Sequence, residues 1–413
     1  MALTPDFDTY PVDFTLVEVA LEPAWVEVVW SDGRVSRYHH VWLRDNCPCP
    51  ICVHQTTKEQ VFEIVAVPPE IRPQSATIGT DGVLELTWDD GAHAADVHRS
   101  TIDPGWLRAN CYCPEARAER QHNCVTWDGR SLAEPPTFDG ATIMTDDDAL
   151  YDWLIALQTF GVSRVTNVPC EANAIAVLVG RIGIVRETNF GVLWDVKSEP
   201  NPISNANTAL ALPPHVDLPT REYQPGLQFL HCLVNETRGG ENILVDGFRI
   251  AEILRHDHPA DYEVLTTVPW EWANRSATSD YRFTSPLIVT NRDGSLKEVR
   301  IGNWLRAALD VPFDVVEPAY RAYRRLFELT YRADLQLRLR LRPGEVMAFD
   351  NRRALHARGE FTDARGARFF RGCYSDRDEL YSRIRMIERA RRERRMAKDH
   401  SAADAAASRP ARG

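Results

Sequence analysis

Two short segments, ALPPHVDLP around His215 and Asp217 and DNRRALHARG around His356, constrain this 413-residue chain more than any other feature. A His-x-Asp pair alone is weak, since two polar residues flanking one position often form a solvated loop. Here Pro213 and Pro214 precede the pair and Pro219 follows it. That puts the pair at the end of an extended stretch, the kind of rigid mouth where ligands are placed. His356 follows RPGEVMAFDNRRALH, where Pro343-Gly344 turns the chain and residues 345–349 read as a strand. Two imidazoles and one carboxylate are the donor set that holds Fe(II) on one face and leaves the opposite positions open. Arg368, shortly downstream, can clamp a dicarboxylate co-substrate through two parallel charged hydrogen bonds.

A chain of this length suggests two domains, and a hydrophobic fraction of 44% with eleven tryptophans is ample for globular cores. The net charge of −11 argues against nucleic-acid or anionic-membrane binding. RARRERR, at 389–395, is a local exception that reads as a solvated helix end, and SAADAAASRPARG has nothing to pack, so residues 391–413 are expected to be a disordered tail. The N-terminus lacks the basic and apolar regions of a signal peptide, and no apolar run is long enough to span a bilayer. Nine cysteines in a chain of this kind point to a reducing cytoplasm.

Three of those cysteines crowd together as Cys47, Cys49 and Cys52. A Cys-x-Cys-x-x-Cys cluster needs one more ligand to close a tetrahedral zinc site, and with no open position such a zinc is structural. His93 is the candidate for the fourth ligand and His98 its competitor; His54 is poorly placed to close the loop, and Cys111 with Cys113 forms a second Cys-x-Cys that could compete. Around the cluster, WVEVVW at 25–30 alternates and can return through 35–38 after Ser31-Asp32-Gly33, while VLELTW at 83–88 repeats the strand-turn device. A small β-rich domain is expected over 1–125, ending in the polar, weakly patterned stretch 117–136.

The second domain is expected over 135–390. Asp146 and its acidic neighbours cap a helix with Leu150, Trp153, Leu154 and Leu157 on one face, stopped by Gly161. Strands are expected at 162–168 and 226–233, a helix at 172–183, and a Gly-Gly turn leading to a strand and Asp246. An amphipathic helix at 317–332 should turn Tyr320, Tyr323, Leu326, Phe327 and Tyr331 inward. The fold class is α+β, mainly β: a double-stranded β-helix (jelly roll) with a helical buttress, the two ligand segments ending neighbouring strands.

The segments WLRDNCPCPIC, RETNFG, SNANTALALPPHVDLP, PGLQFLHCL, GGENILVDGF, FDNRRALHARGEF and RFFRGCYSDRDEL cover both domains, and the chain resembles the γ-butyrobetaine and trimethyllysine dioxygenase family. The resemblance implies iron on His215, Asp217 and His356, 2-oxoglutarate on Arg368, and zinc on Cys47, Cys49, Cys52 and His93. It implies O2 as co-substrate, ascorbate in support, a small-molecule substrate and a homodimer. The implied reaction couples decarboxylation of 2-oxoglutarate to succinate and CO2 with hydroxylation of an aliphatic C–H. Asp217 favours that outcome, because related halogenases lack the carboxylate. Demethylation, desaturation and cyclisation are related outcomes, and a zinc-binding scaffold is the non-enzyme alternative. Asp350 and Asn351 either orient the His356 loop or simply make a turn.

Family members that take trimethylammonium substrates hold the cation in an aromatic cage. The resemblance places Phe190, Trp194 and Tyr374 in that cage, with Asn207 where tyrosine is usual. Asn303 matches near the substrate's anionic end, and Trp304 replaces a smaller neighbour. Arg371 stands where an uncharged or acidic residue is usual; facing inward, it would favour a more anionic substrate such as a trimethylamino-phosphonate.

Overall fold

A computed structural model of the chain describes residues 6–8, 10–89, 97–197, 208–362 and 367–407. The backbone divides into two compact units: one runs to Gln121 and takes in the residues from Glu388 onward, and the other spans His122–Ile387.

In the first unit the alternating runs become two three-stranded antiparallel sheets. One is Leu16–Leu21, Trp25–Trp30 and Val35–His39; the other is Pro73–Ile78, Leu84–Trp88 and His98–Ile102. Alternation puts Val26, Val28 and Trp30 of one sheet, and Leu84, Leu86 and Trp88 of the other, into one core. Each sheet buries an indole whose N–H must find an acceptor. Trp30 donates to Ser36 Oγ and Trp88 to Ser100 Oγ, both at 2.9 Å from the neighbouring strand. A helix, Arg377–Ala407, runs through much of the stretch from residue 391 that was expected as a tail. Arginine, glutamate, lysine, methionine and alanine dominate this stretch and favour helix without needing a core. Arg389 and Arg395 also pair with Asp8 and Asp13.

The second unit is built on two large sheets, with three two-stranded ribbons beside them. Thr137–Asp139, Val162–Thr166, Val346–Asp350, Leu227–Asn235, Arg368–Ser375 and Trp194–Lys197 lie side by side in that order in a six-stranded sheet. Leu212–His215, Ala354–Arg358, Asn242–Asp246 and Gln336–Leu339 form a four-stranded one. All neighbours are antiparallel except the pair Thr137–Asp139 and Val162–Thr166. Period-two alternation decides what each sheet packs against. Leu230, Cys232, Met347, Phe349 and Phe370 meet Leu244, Leu337 and Leu339 between the sheets. Leu227, Phe229, Val346 and Ala348 point the other way, onto helices.

The first of those helices, Asp147–Phe160, is capped by the Asp146 carboxylate and ends at Gly161, whose φ of +69° is the left-handed conformation that glycine adopts at no cost. Leu150, Trp153, Leu154 and Leu157 are all buried, each contributing roughly 1.5–3 kcal/mol of burial. Trp153 also donates to Ser163 Oγ at 2.9 Å, so its loss would remove packing and a buried hydrogen bond together. The helix Phe313–Thr330 buries Ala319, Ala322, Tyr323, Leu326 and Leu329, whereas Tyr320 and Tyr331 are exposed, contrary to expectation. Tyr331 lies past the last helical turn, and Tyr320 sits off the buried stripe, in a T-shaped contact with Trp270 and near the Arg306 guanidinium.

Candidate active site

His215 is the last residue of Leu212–His215, and His356 the centre of Ala354–Arg358. The antiparallel register sets them directly opposite one another, with ring centroids 4.0 Å apart. Asp217 Oδ1 lies 3.5 Å from His215 Nε2 and 3.7 Å from His356 Nε2. Adjacent donors around a six-coordinate ion with bonds of about 2.1 Å are about 3 Å apart, so the three atoms fit one face of such an ion. His215 Nδ1 lies 2.9 Å from the Pro213 carbonyl, which fixes the proton there and leaves Nε2 for a metal.

The pair follows a strand end, so something must fix the loop beyond it. Leu218 is buried with a φ of +53°, a strained conformation for a branched residue that persists only where the surroundings enforce it. Asn351 supplies that constraint. Its Oδ1 accepts from the Asp217 amide at 2.8 Å, and its Nδ2 donates to the carbonyls of Asp217 and Pro225. Arg300, buried against Glu298, donates to the carbonyls of Pro219, Arg221 and Glu222. Asp350 has another job: it accepts the Arg377 guanidinium and the Arg352 amide, tying down the turn before His356. Arg353 completes that turn through a fully buried pair with Asp246, at 3.0 and 2.8 Å.

Electrostatics suit the donor roles. Burial, reinforced by His215, lowers the His356 pKa to about 3, so its imidazole is neutral as a metal ligand must be. Burial works to raise Asp217, but His356, His215 and the Tyr374 hydroxyl outweigh it and hold the carboxyl well below its usual range. Tyr374 donates to Asp217 Oδ2 at 2.7 Å, which leaves Oδ1 on the side of the two histidines.

A cavity opens from these ligands, walled by Trp194, Leu230, Met347 and Phe370. Arg368 lines it too. Its guanidinium stacks on Phe370 and Phe361, and its buried Nε has no hydrogen-bond partner among the described residues. Burial, then the nearby Arg358 cation, brings its pKa down to about 9. A buried guanidinium without a carboxylate is costly, and an entering carboxylate would repay that cost. Gln228 Oε1 and Asn242 Nδ2 are likewise buried, unpartnered and at the cavity wall.

Of the expected substrate residues, Trp194 and Tyr374 lie together, ring centroids 5.3 Å apart. Phe190 is exposed and is not among the cavity-lining residues, and Asn207 lies outside the described residues. Asn303 is exposed and accepts from Tyr323; its neighbour Trp304 packs on His215, with ring centroids 4.6 Å apart. Arg371 does not face the cavity. It pairs with Asp195 at 2.8 Å and donates to the Ala172 carbonyl, because it alternates with the inward Phe370. Arg358, Asn242 and Gln228 were not foreseen. The first could have been, since it follows His356 by one strand period and so shares its face.

In the first unit Cys47, Cys49, Cys52 and His98 form a second donor cluster. The fourth corner is His98, held at the start of its strand; His93 lies outside the described residues. His98 Nε2 is 3.2, 3.9 and 3.8 Å from the three sulfurs in order. Tetrahedral bonds of about 2.3 Å to sulfur and about 2.0 Å to nitrogen imply edges of about 3.5 Å, so the cluster fits zinc. Arg44, wholly buried, donates to Cys52 Sγ at 3.3 Å and offsets the extra negative charge of three thiolates. Cys111 packs in the core against Ser36 and Cys113 caps a short helix, so neither joins the cluster.

Residues 126–374 match the family described as taurine catabolism dioxygenase TauD, TfdA, and residues 19–96 match the N-terminal domain described as gamma-butyrobetaine hydroxylase-like. A gamma-butyrobetaine dioxygenase of Pseudomonas sp. (strain AK-1) is 46% identical over 388 residues, 93% of this chain and 99% of that protein. The gamma-butyrobetaine dioxygenase of Homo sapiens is 28% identical, over 88% of this chain and 94% of its own length. The mitochondrial trimethyllysine dioxygenase of Bos taurus is 31% identical, over 86% and 84%.

Proposed function

Because the chain belongs to the TauD, TfdA family of dioxygenases, with the N-terminal domain of the gamma-butyrobetaine hydroxylase-like group, we propose that it hydroxylates an aliphatic C–H of γ-butyrobetaine or a close quaternary-ammonium acid. It is a 2-oxoglutarate-dependent dioxygenase, and its donor sets fit Fe(II) at His215, Asp217 and His356 and structural zinc at Cys47, Cys49, Cys52 and His98. Bound Fe(II), with 2-oxoglutarate and O2, supplies oxidative decarboxylation to succinate and CO2 and the oxidising power for the C–H bond. The chain's own residues do the rest. Arg368 takes the distal carboxylate of the co-substrate, Tyr374 and Asn351 hold Asp217 from its two ends, and the apolar walls exclude water.

The observation that carries the substrate assignment is Trp194 on the cavity wall beside the metal ligands, an aromatic face suited to a desolvated trimethylammonium group, with the buried Tyr374 ring packed against it. A phosphonate substrate loses its main support, since Arg371 is spent on Asp195. We read the two sheets as the halves of a jelly roll, and the protein as a cytoplasmic homodimer, in keeping with nine free thiols and with the resemblance of the whole chain. The test is succinate release and product mass over a panel of γ-butyrobetaine, other betaines, trimethyllysine and amino-phosphonates. A product heavier by one oxygen from γ-butyrobetaine is expected. Turnover with a phosphonate alone, or loss of a methyl group, would overturn the assignment.

A further inference from the structure

Trp194 belongs to a four-residue strand at the edge of the six-stranded sheet, Trp194–Lys197, and among the described residues that strand has a neighbour on one side only. Four residue pairs join it to Arg368–Ser375, among them Trp194 opposite Gly372 and Asp195 opposite Arg371. The indole lies flat across Gly372. A Cβ there would stand 2.3, 2.4 and 2.6 Å from three ring carbons of Trp194, so any side chain must displace the ring. One residue along, on the opposite face, Asp195 and Arg371 form their ion pair at 2.8 Å, and Arg371 also reaches the Ala172 carbonyl.

An edge strand of four residues is weakly held by its ladder alone. Its position nonetheless fixes where Trp194 stands on the cavity wall beside Asp217, against the buried Tyr374 ring. We infer that Gly372 and the Asp195–Arg371 pair are positioning and specificity-determining elements: Gly372 is the seat on which the Trp194 indole rests, and the ion pair behind the sheet clamps the strand that carries it. Arg371 thus acts on a cationic substrate without touching it. This inference rests on the quaternary-ammonium reading above and assigns the residues that hold its aromatic wall in place.

The experiment compares wild type, Gly372→Ala, Asp195→Asn, Arg371→Met and the charge swap Asp195→Arg with Arg371→Asp. For each, kcat and KM are measured with γ-butyrobetaine and with its uncharged tert-butyl isostere, along with KM for 2-oxoglutarate and thermal stability. The preference of cation over isostere should fall about tenfold or more in Gly372→Ala and about three- to tenfold in each single clamp variant. KM for 2-oxoglutarate should stay within about twofold, and the charge swap should recover part of the loss. Unchanged preference in Gly372→Ala and both clamp variants overturns the inference while leaving the substrate reading intact. So does a fall in kcat alone with KM for γ-butyrobetaine unaltered. Absence of cation preference in the wild type instead overturns the reading itself. A variant that loses thermal stability is judged by the charge swap, whose recovery of preference a general folding defect would not produce.

Discussion

The two donor clusters of this protein use overlapping chemistry to opposite ends. In the first unit three thiols and His98 converge from all sides on one point, with Arg44 balancing the charge from behind. In the second unit His215, Asp217 and His356 converge from one side only, and beside them is a cavity lined by Arg368, whose buried Nε has no hydrogen-bond partner among the described residues. The local backbone explains the contrast. Cys47, Cys49 and Cys52 sit in a short knuckle after the helix His40–Asp45 that can wrap an ion, whereas His215 and His356 are paired across an antiparallel ladder and approach from one face. Closure makes a fold-stabilising site, and one-sidedness makes a reactive one.

The strongest way to break the comparison is to open the closed site. His98→Ala or Cys52→Ser should abolish stoichiometric zinc and unfold the first unit, since structural zinc contributes roughly 10 kcal/mol or more to folding in small domains. Metal analysis and calorimetry would show it, and His93→Ala should leave zinc at one per chain. Next, Asp217→Ala should cut 2-oxoglutarate turnover by roughly a thousandfold or more without changing zinc content. Equal loss of zinc would mean that the two sites are not independent. Arg368→Ala should raise the 2-oxoglutarate requirement by about a hundredfold while iron binding persists, because charged hydrogen bonds at a buried guanidinium are lost. Tyr374→Phe removes only the hydroxyl that holds Asp217 Oδ2, and should cost about 10- to 100-fold in iron affinity, measured by competition with a chelator.

The smallest effect sharpens the comparison with a histidine in neither cluster. His231 is fully buried in the central strand Leu227–Asn235, and burial lowers its pKa to about 4. Unfolded, it titrates near 6.5, so the native state binds fewer protons. Its contribution is therefore complete above about pH 6.5 and is lost as pH falls towards 4, with at most about 2 kcal/mol of that loss between pH 7 and 5. Denaturant melts between pH 7 and 5 should show that loss, reduced in His231→Leu. A flat profile in the wild type would argue against a buried neutral imidazole.

Much of the machinery could be read from the chain itself, because it is local. A Cys-x-Cys-x-x-Cys run brings its thiols together within six positions, and prolines on both sides of His-x-Asp favour an extended stretch ending in a loop. Asp146 and Gly161 bracket a helix by capping chemistry that needs no tertiary partner. Other features depended on distance in space. His98 meets the cysteines because its strand pairs with Leu84–Trp88, a register that spacing does not reveal. Local composition suggested a tail beyond 391; a helix runs through much of that stretch, and its Arg389 and Arg395 pair with Asp8 and Asp13, partners that spacing does not reveal. The direction of Arg371 was undecidable in sequence, since either face of a strand is available until the sheet assigns one to the core. Residue chemistry thus determined which reaction class the chain can perform. Only the packing of an edge strand on Gly372 decided the shape of the space beside the metal ligands, because that shape is a property of two strands far apart in the chain.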